Sequence, residues 1–189
     1  MTASTAFLPL APARQHTLTT LGLVVAGSLL LTLSAKAQVP FWPVPMTLQP
    51  GVVLLLAILM GPRLAFATVA LYLAQGAMGL PVFAGTPEKG FGLAYMMGPT
   101  GGYLIGFALA AVVVGHLARL RPTALPLLVA GVLGMAAIYA PGVAWLSLWV
   151  GVEQALVLGA VPFLFGDAVK IALVVAVALA VRGAWLRRA

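Results

Sequence analysis

The chain has 189 residues, 63% of them hydrophobic, with ten basic side chains, three acidic ones and no cysteine. A water-soluble domain carries charge on about a quarter of its residues, whereas the share here is 7%. Soluble enzymes, nucleic-acid readers and disordered tails are excluded on that figure, and the cysteine count excludes a disulfide frame, a thiolate nucleophile and a Cys-ligated metal. What remains is one compact unit embedded in a lipid bilayer.

So few charges act as a ruler along the chain. Twenty-one uncharged residues separate Arg14 from Lys36. About 20 residues of helix cross a bilayer core, which puts a first span at 17–36. No basic n-region precedes it, so no cleaved signal is expected. The next segment, AQVPFWPVPMTLQP, holds Pro40, Pro43, Pro45 and Pro50. Proline lacks the helical N–H donor and fixes φ, so an extended or re-entrant loop is expected, serving as the wall or lid of a cavity. A short apolar helix at 48–61 follows and stops at Gly61-Pro62. Further spans are expected at 63–80, 99–118, 124–141 or beyond, and 162–182. Pro141-Gly142 interrupts the fifth. The stretch from Val143 to Ala160 is open to two readings: span five continued past a kink with an interfacial helix at Glu153 to Gly159, or a seventh span. The expected fold is all-α, a single membrane domain over 1–189 built as a six-transmembrane-helix bundle with a structured first extracellular loop.

Charge placement tests that count. With six spans, Arg14, Arg63, Arg119, Arg121, Arg182, Arg187 and Arg188 share one side, and Lys36 and Lys89 are the only basic residues opposite. Cytoplasmic flanks carry the Lys/Arg excess, so both termini are expected in the cytoplasm. The proline-rich, glycine-rich and Trp-containing loops (37–50, 81–98 and 143–161) then all lie outside.

No phosphate-binding G-x-x-x-x-G-K-[ST] and no G-x-S-x-G occur. Three carboxylates and two histidines do not supply a multi-carboxylate metal set, so no catalytic and no metal-binding residue is expected. The outstanding feature is PFLFGDAVK, Pro162 to Lys170. An acid or a lysine within a span costs about 2.5–3.5 kcal/mol, and at i and i+3 Asp167 and Lys170 share a helix face. They either form an ion pair that locks helices or face a ligand. An acceptor beside a donor suits a ligand bearing both N–H and C=O groups, such as a urea or amide ring. Gly98-Pro-Thr-Gly-Gly-Tyr103, at the start of span four, allows close backbone approach to a ligand or, as a Gly98, Gly102, Gly106, Ala110 stripe, close helix crossing. Phe83, Phe91 and Tyr95 in the third loop, with Trp145 and Trp149, are candidate cavity walls or aromatic-belt residues.

VPFWPVPMTLQP, GLPVFAG, GPTGGYLIGF and PFLFGDAVK, in this order and spacing, resemble the biotin-specific substrate-binding (S) subunits of energy-coupling factor transporters, the BioY family. The resemblance runs from about Ala35 to Lys170. It implies a six-helix membrane bundle of the bacterial inner (cell) membrane that binds biotin from the outer side, partnered by a transmembrane coupling (T) subunit and two cytoplasmic ATPases, with no cofactor and no nucleic acid. By the same resemblance Asp167 and Lys170 are the ureido partners. Gly98, Thr100, Gly101, Gly102, Tyr103 and Tyr95 belong to the glycine-rich stretch and the loop before it. Thr47 and Gln49 belong to the covering loop, with Phe41 and Trp42 as apolar contacts. For the carboxylate tail the candidates are the start of span four, Lys36 and Lys89. Gly22-xxx-Ala26 on span one stands where such subunits dock on their T partner. Three other readings stay open beside this one: an S-type subunit for another vitamin, a biotin transporter working alone, and a scaffold in which Asp167–Lys170 is only structural.

Overall fold

A computed structural model describes residues 15–85 and 92–186. Arg14, Glu88, Lys89, Phe91, Arg187 and Arg188 lie outside the described residues. The chain folds into helices, with one short hairpin between the first two. In order they are α1 (Gln15–Lys36), β1 (Gln38–Val39), β2 (Met46–Thr47), α2 (Gln49–Met60), α3 (Pro62–Ala77), α4 (Gly92–Met97), α5 (Gly101–Leu120), α6 (Ala124–Val150), α7 (Val152–Gly159), a 3-10 turn at Val161–Phe163, and α8 (Leu164–Leu186).

Four helical stretches are long and apolar enough to cross a membrane: Thr17–Lys36, Gly101–Leu120, Ala124–Val150 and Val152–Ala184. The last joins α7 to α8. The second and third expected spans are shorter, at 12 residues in α2 and 16 in α3. At about 1.5 Å per residue α2 rises only some 18 Å, and the hairpin above it supplies the remaining depth. Span three stops at Ala77, three residues before its expected end, where Gly79 turns the chain at φ 89°. After Val143 the helix continues and a separate short helix follows, as in the first of the two readings, but the interruption expected at Pro141-Gly142 is absent. α6 runs unbroken through Pro141 to Val150, Gly151 turns at φ 82°, and α7 follows as a separate short helix.

The proline-rich loop is extended, as its composition requires. Gln38 pairs with Thr47 and Val39 with Met46 in antiparallel register, the Trp42-Pro43 peptide is cis, and Leu48 N–H closes the loop on Ala37 O at 3.2 Å. At the opposite end of α2, Gly61 adopts φ 78° and its N–H bonds Ala57 O, after which Pro62 opens α3. A side chain at Gly61 would strike the Arg119 guanidinium, and one at Gly115 would strike Pro62. Arg182 bonds Pro122 O at 2.6 Å. The arginines of α3, α5 and α8 thus gather at one end of the bundle. The hairpin, α4 and α7 gather at the other, where Lys36 Nζ bonds Phe83 O at 2.7 Å and Trp145 Nε1 bonds Gly98 O at 2.9 Å.

Between the two ends the core is apolar, built on Leu54, Ile58, Val69, Val114 and Leu127, each at most 2% exposed. Its tightest seam joins α5 to α6. A Cβ on Gly102 would lie 2.3 Å from Pro141 O, and one on Gly106 would lie 2.6 Å from Ile138 Cα. Gly102, Gly106 and Ala110 therefore let two backbones meet, as the small-residue stripe suggests. α1 packs on α3 with Gly27 against Thr68, and Ser28 Oγ donates to Gln75 Oε1 at 2.5 Å. Gly22 and Ala26 face outward on α1, and a Cβ at Gly22 would meet nothing within 4 Å. Gly106→Val sets a branched side chain against backbone that cannot yield. It is expected to cost at least about 1–3 kcal/mol, seen as a lower midpoint when the detergent-solubilised protein is heated and its remaining monodisperse fraction measured.

Candidate functional site

Asp167 and Lys170 sit one turn into α8, after the 3-10 turn that brings the chain down from α7. They form an ion pair, Lys170 Nζ to Asp167 Oδ1 at 2.7 Å, with side chains 11% and 7% exposed for the lysine and the acid. The lysine stem lies along Gly51 of α2, whose Cβ position is 3.4 Å from Lys170 Cβ. This is an ordinary van der Waals contact between α2 and α8 beside the charge. The second oxygen, Oδ2, accepts from the Tyr139 hydroxyl on α6. Both carboxylate oxygens are thereby held by donors from two helices.

The pair opens into a cavity of about 60 Å³ under the hairpin. Its floor and far wall are Asp167, Lys170, Tyr139 and Phe107. The hairpin and the start of α2 cover it with Met46, Thr47 and Gln49, and Tyr95, Thr100 and Tyr103 close the remaining side. Gln49 is 4% exposed, and its amide Nε2 donates to Tyr72 Oη at 2.7 Å. The Tyr72 hydroxyl donates in turn to Val82 O at 3.2 Å, and Gln49 N–H donates to Thr47 Oγ1 at 3.3 Å. A chain of hydrogen bonds therefore ties the lid to the third loop. Phe83 anchors that loop over Gly76, edge-on to Tyr72 and stacked on Tyr95 at 5.0 Å. Burial pushes the Tyr95 phenol above its usual value, against the opposing pull of its Thr100 hydrogen bond. It remains a neutral hydroxyl at physiological pH.

Seven of the expected contact residues meet on this cavity: Thr47, Gln49, Tyr95, Thr100, Tyr103, Asp167 and Lys170. The others do not line it. Phe41 stands behind the wall, edge-on to Phe163 at 5.9 Å between ring centres. Trp42 is 73% exposed and, with Gly98, Thr100, Tyr95 and Trp149, lines a second, outer cavity of about 260 Å³. Gly101 abuts Met96 O, and Gly102 abuts Pro141 O. Of the two uses open to the glycine-rich stretch, these positions serve helix packing, because the approaching backbone is that of α4 and α6. The Tyr103 ring lines the cavity, but its hydroxyl donates to Gly159 O at 2.8 Å. Lys36 is held by Phe83 O and lines a small recess beyond Tyr95.

Sequence reasoning missed Tyr139 and Tyr72. Tyr139 carried a signal: it is the one tyrosine in the 27-residue apolar run of α6, where a hydroxyl needs a partner. Tyr72 carried the same signal as the one tyrosine of α3, with its partner Gln49 lying 23 residues earlier in the chain.

Chemically, the floor of the cavity sets a fixed acceptor, Asp167, beside a fixed donor, Lys170, in an apolar cup. Among the described residues there is no group of acids and histidines able to hold a metal ion, and no buried side-chain polar atom lacks a partner. Removing the Tyr72 hydroxyl strands the Gln49 amide. Tyr72→Phe is expected to cost about 1–3 kcal/mol, read as a lower thermal midpoint together with faster amide exchange across the hairpin and the start of α2.

The BioY family model matches residues 7–187. The biotin transporter BioY of Thermotoga maritima is 43% identical over 163 residues, covering 85% of this chain and 94% of that protein. The probable biotin transporter BioY of Pyrococcus horikoshii is 39% identical over 154 residues, covering 82% and 90%. Among solved structures, the crystal structure of the S-component for biotin from an ECF-type ABC transporter superposes with a TM-score of 0.78 at 25% identity, covering 95% of this chain and 96% of that one. With its long apolar helices and a family match over nearly its whole length, the chain is a helical membrane protein that belongs to the BioY family.

Proposed function

We propose that the chain is the biotin-binding subunit of a membrane uptake system. The observation that carries this is the Asp167–Lys170 pair, buried in the bundle yet facing a cavity. A purely structural pair has no need of an adjoining cup, and a charge pair in an apolar span is maintained only where it has work or partners. A cyclic urea presents N–H donors flanking a carbonyl, so it matches the acceptor and donor held side by side. The biotin transporters and the biotin S-component that resemble the chain support the same ligand.

The arginine-bearing ends of α3, α5 and α8 are assigned to the cytoplasm by their Lys/Arg excess. The hairpin, α4 and α7 then face outward, both termini are cytoplasmic, and the cavity receives its ligand from outside the cell membrane. The sequence contains no ATP-binding motif of its own, so energy for release comes from an ion gradient or, in the favoured reading, from partners. By likeness to the S-component of an ECF-type transporter, these are a transmembrane T subunit and two cytoplasmic ATPases. The outward-facing Gly22 and Ala26 on α1 offer a smooth strip on which the T subunit docks. Biotin uptake by cells expressing the chain with and without such a module separates the coupled subunit from a transporter acting alone.

Equilibrium binding of labelled biotin to the purified protein tests the ligand. Dissociation constants below a micromolar are expected, with thiamine and riboflavin failing to compete. Removing both members of the pair, Asp167→Asn with Lys170→Ala, is expected to weaken biotin about 100-fold or more, since hydrogen bonds to charged groups contribute about 1.5–3 kcal/mol each. The 2-imino analogue carries donors at all three ring positions and offers Lys170 no acceptor. It is expected to compete about 100-fold less well than biotin. Unaltered binding by the double variant would assign the pair to helix locking instead.

A further inference from the structure

The cavity's acid is oriented from outside its own helix. Tyr139 of α6 lines the cavity and donates to Asp167 Oδ2, while Lys170 holds Oδ1. Lysine and acid are three residues apart on one helix, so the ion pair by itself leaves the carboxylate free to turn with the lysine head. A second donor from a different helix removes that freedom. We propose that Tyr139 is the positioning residue of the ligand site: its hydroxyl fixes the plane of the Asp167 carboxylate and thereby sets which N–H edge of a cyclic urea the acid accepts. This rests on the reading of Asp167 and Lys170 as the ligand's polar partners.

The surrounding packing equips Tyr139 for the task. The α5–α6 seam at Gly102 and Gly106 sets the register of α6. The Tyr139 ring stands edge-on to Tyr103 at 6.4 Å and 84°, and Tyr103 is itself held by Gly159 O. That edge contact and the position of α6 direct its hydroxyl to Asp167. After donating, the phenol oxygen still accepts, each carboxylate oxygen keeps an unused lone pair, and the ammonium keeps two of its three N–H groups. The floor therefore offers a row of acceptors ending in a donor, and the order of that row follows from where Tyr139 stands.

Tyr139→Phe tests this, because it keeps the ring and its packing while deleting the hydroxyl. Biotin affinity is expected to fall about 10- to 100-fold, the range for losing a hydrogen bond to a charged group, with the thermal midpoint of the unliganded protein also lowered because Asp167 loses one of its two donors. Desthiobiotin shares the cyclic urea but lacks the second ring, and it should lose affinity by the same factor. In an Asp167→Asn background the Tyr139→Phe change should cost less than about twofold, since residues acting on one group are not additive. Unchanged biotin affinity, unequal losses for the two ligands, or full additivity with Asp167→Asn would each overturn the proposal. If the phenylalanine variant does not fold, Tyr139→Met is read by the same criteria. A wild-type protein that binds no biotin overturns the functional reading itself, whereas wild-type binding with an indifferent Tyr139→Phe overturns this inference alone.

Discussion

A carboxylate and an ammonium removed from water each lose several kcal/mol of hydration, and only close pairing with further hydrogen bonds offsets the loss. Asp167 and Lys170 meet that condition at 2.7 Å, with Tyr139 as the additional donor. The pair in turn dictates how its neighbours are built. α2 lies against the lysine stem at Gly51, where even an added Cβ would make only ordinary van der Waals contact. α6 must bring a hydroxyl to the acid, and the loops must shield the pair from lipid without filling the space above it. The hairpin does this with Met46, Thr47 and Gln49.

The glycine seam between α5 and α6 is the second constraint. Proline inside a helix removes one backbone hydrogen bond, which in a bilayer has to be compensated by protein. Gly102 and Gly106 bring the backbone of α5 against the stretch from Ile138 to Pro141, and α6 runs on as one helix of 27 residues. At about 1.5 Å per residue that is some 40 Å, longer than the hydrocarbon core. Its last turns project into the loop end, where Trp145 ties α6 to Gly98 at the approach to α5.

Much of this was legible in the sequence because the chain is so poor in charge. Helix positions followed from gaps between charged residues. The extended loop followed from four prolines, though not its pairing as a hairpin, and the candidate site from the only acid and lysine inside a span. Three things were hidden. The lengths of α2 and α3 depend on how far the hairpin dips into the bundle, which hydropathy does not record. The division of the GPTGGY stretch between packing and ligand depends on which backbone arrives opposite each glycine: Gly101 and Gly102 meet protein, whereas Thr100 and the Tyr103 ring meet the cavity. Tyr72 and Tyr139 have partners 23 and 28 residues away, so which group each hydroxyl meets arises from tertiary pairing alone.

The bond from Tyr103 to Gly159 couples two places that otherwise have little in common. Its ring is part of the cavity wall, and its hydroxyl holds the last residue of α7, the short helix at the loop end with Val152, Leu156 and Val157 exposed. A side chain with one end on the cavity and the other on a surface helix behaves as a rigid strut. The ring cannot be pushed aside without either dragging α7 or leaving a buried hydroxyl unpaired, so displacement inside the cup is transmitted to the loop end of the bundle.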